Sequence, residues 1–180
     1  MKDLEDHILV ERALQADLES FGELCRRYYP SLVAVAESVL RDHHTAEDAA
    51  QETLAAACRQ LPGLNKPERF GAWIGAICRN VARDMLQQKK RWPVQHAVER
   101  WNDCPDDERM AALDDAVGQL PQHLREVIFL RFYNEMSYEQ MASVLGATQQ
   151  AIDGRLRRAK RKIAVYLKRK GFRGDKSYEA

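Results

Sequence analysis

Gln149, Gln150, Gly154, Arg155, Arg157, Arg158 and Arg161 fall within thirteen residues near the end of a 180-residue chain. Arginine can grip guanine and glutamine can grip adenine, each through two hydrogen bonds in the major groove. At 100° per residue, Ile152, Leu156, Ala159, Ile163 and Leu167 lie within about 60° of one line, an apolar stripe that faces a core. Gln150, Gly154, Arg157, Arg158 and Arg161 fall opposite it. Arg155, Lys160 and Lys162 lie to the sides, where DNA phosphates would be.

The residues before this helix explain how it is aimed. Ser137-Tyr138-Glu139-Gln140 is a capping box, in which Ser accepts from the third amide and Gln reaches back. The helix it starts has Met141, Val144 and Leu145 as its apolar side. It ends at Gly146, the residue type that enters the left-handed C-terminal position most easily. Thr148 then caps the basic helix. Two helices joined by a short Gly-containing turn form a helix-turn-helix, whose second helix enters the major groove.

Two further groups carry possible chemistry. Asp48, Gln51 and Glu52 are three or four apart, so one helix face presents acid and amide together. Asn80 and Arg83, one turn apart, form a second polar pair on one helix face. The elements holding them follow from apolar spacing. Residues 3–16 predict a helix with Leu4, Ile8 and Leu9 on one side. A second runs from about Ser20 to Leu40, with Pro30 expected to kink or break it. Thr45 is expected to cap a third, which runs to about Arg59 and closes at Leu61-Pro62-Gly63. A fourth runs from Phe70 to about Lys89, with Trp73, Ile77, Val81 and Met85 on one face and Trp73 expected to be buried. Arg79 and Lys89-Lys90-Arg91 are expected to supply charge for a nucleic-acid backbone.

Residues 92–108 lack a clean period and carry Pro93, Pro105 and Asp106-Asp107-Glu108; they read as a linker. Helices near 109–118 and from Pro121 to Asn134 follow. The tail from Gly171 to Ala180 reads as a frayed end. The class is all-α: two small helical domains joined by a flexible linker, the second containing the helix-turn-helix. With 9 Gly and 6 Pro in 180 residues, turn punctuation for a many-stranded sheet is scarce.

Charge is distributed in blocks behind a net of +1. Residues 1–60 carry net −6, 61–100 net +5, 101–147 net −6 and 148–180 net +8. Two basic blocks suggest two contacts with a polyanion, and the acidic blocks suggest a partner other than nucleic acid. Cys25, Cys58, Cys78 and Cys104 show no paired spacing, so no metal site is expected, His43-His44 notwithstanding. The acidic start and the lack of an apolar run of ~20 residues predict neither a signal peptide nor a membrane span, and a cytoplasmic protein.

Leu120-Pro121, Arg125-Glu126-Val127, Ser137 to Ala142, and Ile152 to Ala159 together resemble the promoter-reading fourth domain of extracytoplasmic-function sigma factors. Phe21 to Leu24, Tyr28-Tyr29-Pro30, Ala46-Glu47-Asp48, Gln51-Glu52, and Phe70 through Trp73-Ile74 and Ile77 to Arg79 to Asp84 resemble that family's second domain. The resemblance covers nearly the whole chain and divides it into a second domain (1–91), linker (92–108), fourth domain (109–170) and tail (171–180). It implies no catalysis and no cofactor. The implied partners are core RNA polymerase, promoter DNA both double-stranded and melted, and an anti-sigma factor.

By the same resemblance, Asp48, Gln51 and Glu52 dock on the polymerase clamp. Asn65, Lys66 and Arg69, with Asn80 and Arg83, belong to the upstream-melting region, where a loop pocket holds a flipped base. The sequence departs from the pattern at two places. Thr45 stands where many relatives are acidic, and a phosphate there would restore the charge. Asp153 stands where relatives are often basic, so it should repel phosphate or accept from a cytosine amino group. An ordinary helix-turn-helix regulator is the alternative, but it leaves the second basic block and the acidic face beside it unexplained. An enzyme with a DNA-binding tail finds no support in a nucleophile-base pair, a Gly-rich phosphate loop or a ligand cluster.

Overall fold

The computed structural model describes residues 4–91 and 107–172, which are helical with no strand among them. Helix α1 spans Asp6–Leu14, α2 Leu18–Leu40, α3 His43–Gln60 and α4 Phe70–Arg91. Single 3-10 turns at Leu61–Gly63 and Pro67–Arg69 join α3 to α4.

Small residues let this first unit pack tightly. Helix α3 buries Ala46, Ala49, Ala50 and Ala57 against Leu24, Leu32 and Val35 of α2 and Phe70, Ile74 and Cys78 of α4. The buried Cys78 thiol bonds the Leu32 carbonyl at 3.3 Å, and burial pushes its pKa up to about 11.

Three local expectations change. Helix α2 runs unbroken through Pro30. Pro30 and Arg26, whose carbonyl loses its usual partner, are both exposed, so the missing hydrogen bond falls on the solvent side. Asp42, not Thr45, caps α3: its carboxylate accepts from the Thr45 amide at 2.8 Å and from the Thr45 hydroxyl. Those bonds hold the Asp42 pKa below its ordinary value. Phe70 is buried, whereas Trp73 is only half-buried.

The second unit comprises α5 (Asp107–Gly118), α6 (Gln122–Ile128), α7 (Tyr138–Leu145) and α8 (Gln149–Arg169). The first of these begins inside the expected linker. The remainder of that linker, 92–106, and the tail beyond 172 lie outside the described residues. Helix α6 continues into a π turn, Phe129–Tyr133, stabilised by stacked Phe129 and Tyr133 rings 4.6 Å apart. Arg131 Nη1 donates to the Met136 carbonyl at 2.7 Å, tying that turn to the entry of α7.

The helix-turn-helix forms as its sequence dictates. Both bonds of the Ser137–Gln140 capping box are made, at 3.1 and 2.9 Å. Gly146 sits at φ 58, ψ 38, where a Cβ is disfavoured. Thr148 accepts from the Ala151 amide at 3.2 Å. Ile152, Leu156 and Ala159 are buried, as is Met141 of α7.

The two units pack on one another, which the sequence pattern does not reveal. Helix α4 lies against α7, and α2 against α6 and the π turn.

Candidate nucleic-acid interface

Burying the apolar stripe of α8 turns its basic side outward. Gln149, Gln150, Arg157, Arg158 and Arg161 are exposed, and Gly154 and Arg155 are half-exposed. Arg158 Nε donates to the Gly154 carbonyl at 3.0 Å. Arg157 pairs with Asp153 at 2.8 Å, one helical turn away. Asp153 therefore steadies an exposed arginine of α8 rather than standing alone as a negative charge. An exposed pair of this kind contributes at most about 1 kcal/mol, so it is readily broken.

Gly154 has an informative emptiness around it. A Cβ there would meet nothing within 4 Å, so no packing contact requires glycine. In mid-helix it costs roughly 0.5–1 kcal/mol relative to alanine. The bare backbone leaves room for close approach from outside.

On α3, Asp48, Gln51 and Glu52 are exposed together on one face. Glu52 is paired at 3.1 Å with Arg59, both well exposed, so this face is acidic but not free of cations. Thr45 is half-buried with its hydroxyl engaged by Asp42, a poor position for the phosphate considered above.

The melting set divides in two. Asn65, Lys66 and Arg69 are exposed in and after the loop before α4. Asn80 and Arg83 are exposed and paired with each other at 3.4 Å. At 1.5 Å per residue, the eleven residues from Arg69 to Asn80 put about 16 Å between the groups along α4. A single base could not bridge them; a strand could.

Arg79 is not available for a nucleic-acid backbone. Its Nε donates to Glu126 Oε1 at 2.7 Å, with the two side chains 18% and 6% exposed. Its Nη2 donates to the Val144 carbonyl at 3.2 Å. The signal that could have found this was the spacing of Gly71, Gly75 and Arg79 at i, i+4 and i+8, one face of α4.

Among the described residues, Cys25, Cys58 and Cys78 are free thiols and no group of three His, Cys, Asp or Glu side chains could hold a metal. No helix among them is long and apolar enough to cross a membrane.

Comparison with known proteins places a family on each unit. Residues 24–92 match Sigma-70 region 2, and residues 110–163 match Sigma-70 region 4. The RNA polymerase sigma factor NccH of Alcaligenes xylosoxydans is 28% identical over 178 residues, covering 90% of this chain and 94% of that protein. The sigma factor CnrH of Cupriavidus metallidurans is 28% identical over 179 residues, with coverage of 90% and 94%. The solved structure of CnrH with the cytosolic domain of CnrY superposes with a TM-score of 0.61, covering 91% of this chain and 97% of that one. The sigma factor RpoE of Bartonella quintana, solved with the anti-sigma factor NepR, is 25% identical with a TM-score of 0.55, covering 83% and 98%.

Proposed function

The chain belongs to the extracytoplasmic-function sigma factors of bacterial RNA polymerase, and from that membership we propose a residue-level account of its work. Sigma factors of this type bind core polymerase, recognise promoter DNA with two domains and support initiation. They do so without bond-making chemistry of their own. The observation that carries the account is the order of the two family matches, one on each helical unit.

Helix α8 reads the upstream promoter element. Arg157, Arg158 and Arg161, with Gln149 and Gln150, face base edges; Arg155 faces phosphate; Gly154 admits the DNA backbone or a base edge closely. The α3 face formed by Asp48, Gln51 and Glu52 docks on a basic surface of core polymerase. Asn65, Lys66 and Arg69 take one part of the opened strand, and Asn80 and Arg83 take a part further along. Domain limits near residues 91 and 109 suit this division, and work with polymerase places the chain in the cytoplasm. Because RpoE was solved with an anti-sigma factor, an anti-sigma factor is a fitting regulator for this chain too.

A reconstituted mixture of core polymerase and this chain should initiate at promoters that core polymerase ignores. Asp48→Ala with Glu52→Ala should weaken polymerase binding while direct binding of the full chain to promoter DNA persists. Loss of both activities would count against a separate docking face.

A further inference from the structure

Two cysteines stand level with one another across the α2–α3 pair. Only Arg41 and Asp42 join these helices, which pack closely and so run antiparallel. Cys25 lies fifteen residues before the end of α2, and Cys58 fifteen residues after the start of α3. At 1.5 Å per residue, each is about 22 Å from the turn. Cys25 shares a face with buried Leu32 two turns on, and Cys58 with Leu54 one turn back, which packs on the core. Burial pushes the Cys25 pKa up, and the Cys58 sulfur adds to that shift, so the two thiols lie within electrostatic range. Cys25 is half-buried and Cys58 exposed, which opens the pair to small solutes at the rim of the interface. Cys78 is remote from it: its thiol is bonded to the Leu32 carbonyl, about 10 Å along α2 from Cys25.

We propose that Cys25 and Cys58 form a site of reversible oxidation, closing to a disulfide that staples α2 to α3. The exposed Cys58 reacts first, with hydrogen peroxide. Its thiolate forms an S–O bond as the O–O bond breaks, and the departing hydroxide takes up the proton that the thiol released. The Cys25 sulfur then attacks the sulfenic acid: an S–S bond forms, the S–O bond breaks, and the hydroxide leaves as water with the Cys25 proton. Two thiols and one peroxide give one disulfide and two waters, and a dithiol reductant reverses the step. Burial keeps Cys25 protonated and suits it to the second role, because the thiolate is the form that initiates. In a reducing compartment such a bond is transient and reports oxidation. The staple would hold together the helical pair whose outer side carries Asp48, Gln51 and Glu52, and its formation does not depend on what that side binds.

The test uses the full chain, treated with hydrogen peroxide, alkylated under denaturing conditions and digested without reduction. Mass spectrometry should find the Cys25 and Cys58 peptides joined, two hydrogens lighter than the separate peptides, with Cys78 alkylated. Dithiothreitol should part them. Cys104 lies outside the described residues, so Cys104→Ser is treated in parallel and should form the same link. Oxidation should raise the melting temperature of Cys104→Ser by several degrees, and adding Cys58→Ser should abolish that rise. Cys25→Ser should stop at the sulfenic acid of Cys58, which dimedone traps. The wild-type peptide map decides the matter should a serine variant fail to fold.

A link from either cysteine to Cys104 or to a second chain would overturn the site. So would Cys58 carried on to sulfinic acid while Cys25 stays reduced. A linked chain that melts no higher than the reduced one would overturn the staple.

Discussion

At Gly154 the chain accepts a weaker helix where nothing inside the molecule asks for it. Gly154→Ala should therefore stabilise the free protein by up to about 1 kcal/mol, seen as a raised melting temperature, while weakening promoter binding. Parallel gains in both would remove Gly154 from the interface. Arg158→Ala should cost ~1–3 kcal/mol on the preferred promoter and relax the preference at one base pair if the side chain makes a bidentate contact. A uniform loss across all sequences would make it a phosphate contact instead. The Glu23 carboxyl, bonded to Arg26 at 2.6 Å and Arg27 at 2.8 Å, is held down to about 2 from an ordinary 4.5. Its folded pKa is depressed, so its contribution is present above pH 4.5 and is lost as pH falls toward 2. Acid titration of Glu23→Gln should show less loss of stability across that window than wild type does.

Among elements, the helix-turn-helix was the most legible in sequence because each of its boundaries is set locally. Ser137, Gln140, Gly146 and Thr148 all occupy the positions their types predict. Ser137→Ala should cost about 1 kcal/mol of stability, measurable by denaturant unfolding, with no change expected if Gln140 alone fixes the turn. Helix α3 was misread at its start because Asp42 and Thr45 are both good caps, three residues apart, and only the backbone geometry decides between them. A break at Pro30 does not occur, because its cost depends on which side of the helix it faces, and that follows from tertiary packing. Arg79 was assigned to a nucleic-acid backbone because charge in a basic block carries no sign of its partner. Glu126 lies 47 residues away, so the Gly71–Gly75–Arg79 spacing could mark a packed face but could not name the partner.

For the whole molecule, the alternating charge blocks become surfaces. The basic block 148–180 contains α8 with its outward arginines, and the acidic block 1–60 contains the exposed α3 face. The class and the division into two units follow from periodicity and composition, and their order from the family resemblance. That they pack together follows from neither, since much of the contact between the units is made by glycines, a backbone carbonyl and ion pairs, none of which has a hydrophobic period. The central claim is that this chain directs polymerase to promoters, and it is tested most directly by sequencing the 5′ ends of transcripts made by core polymerase with and without the chain on DNA from the source genome. The account predicts new start sites that appear only with the chain, share two upstream sequence elements at a fixed spacing, and are lost together with Asp48→Ala and Glu52→Ala. A distribution of 5′ ends unchanged by adding the chain would contradict it.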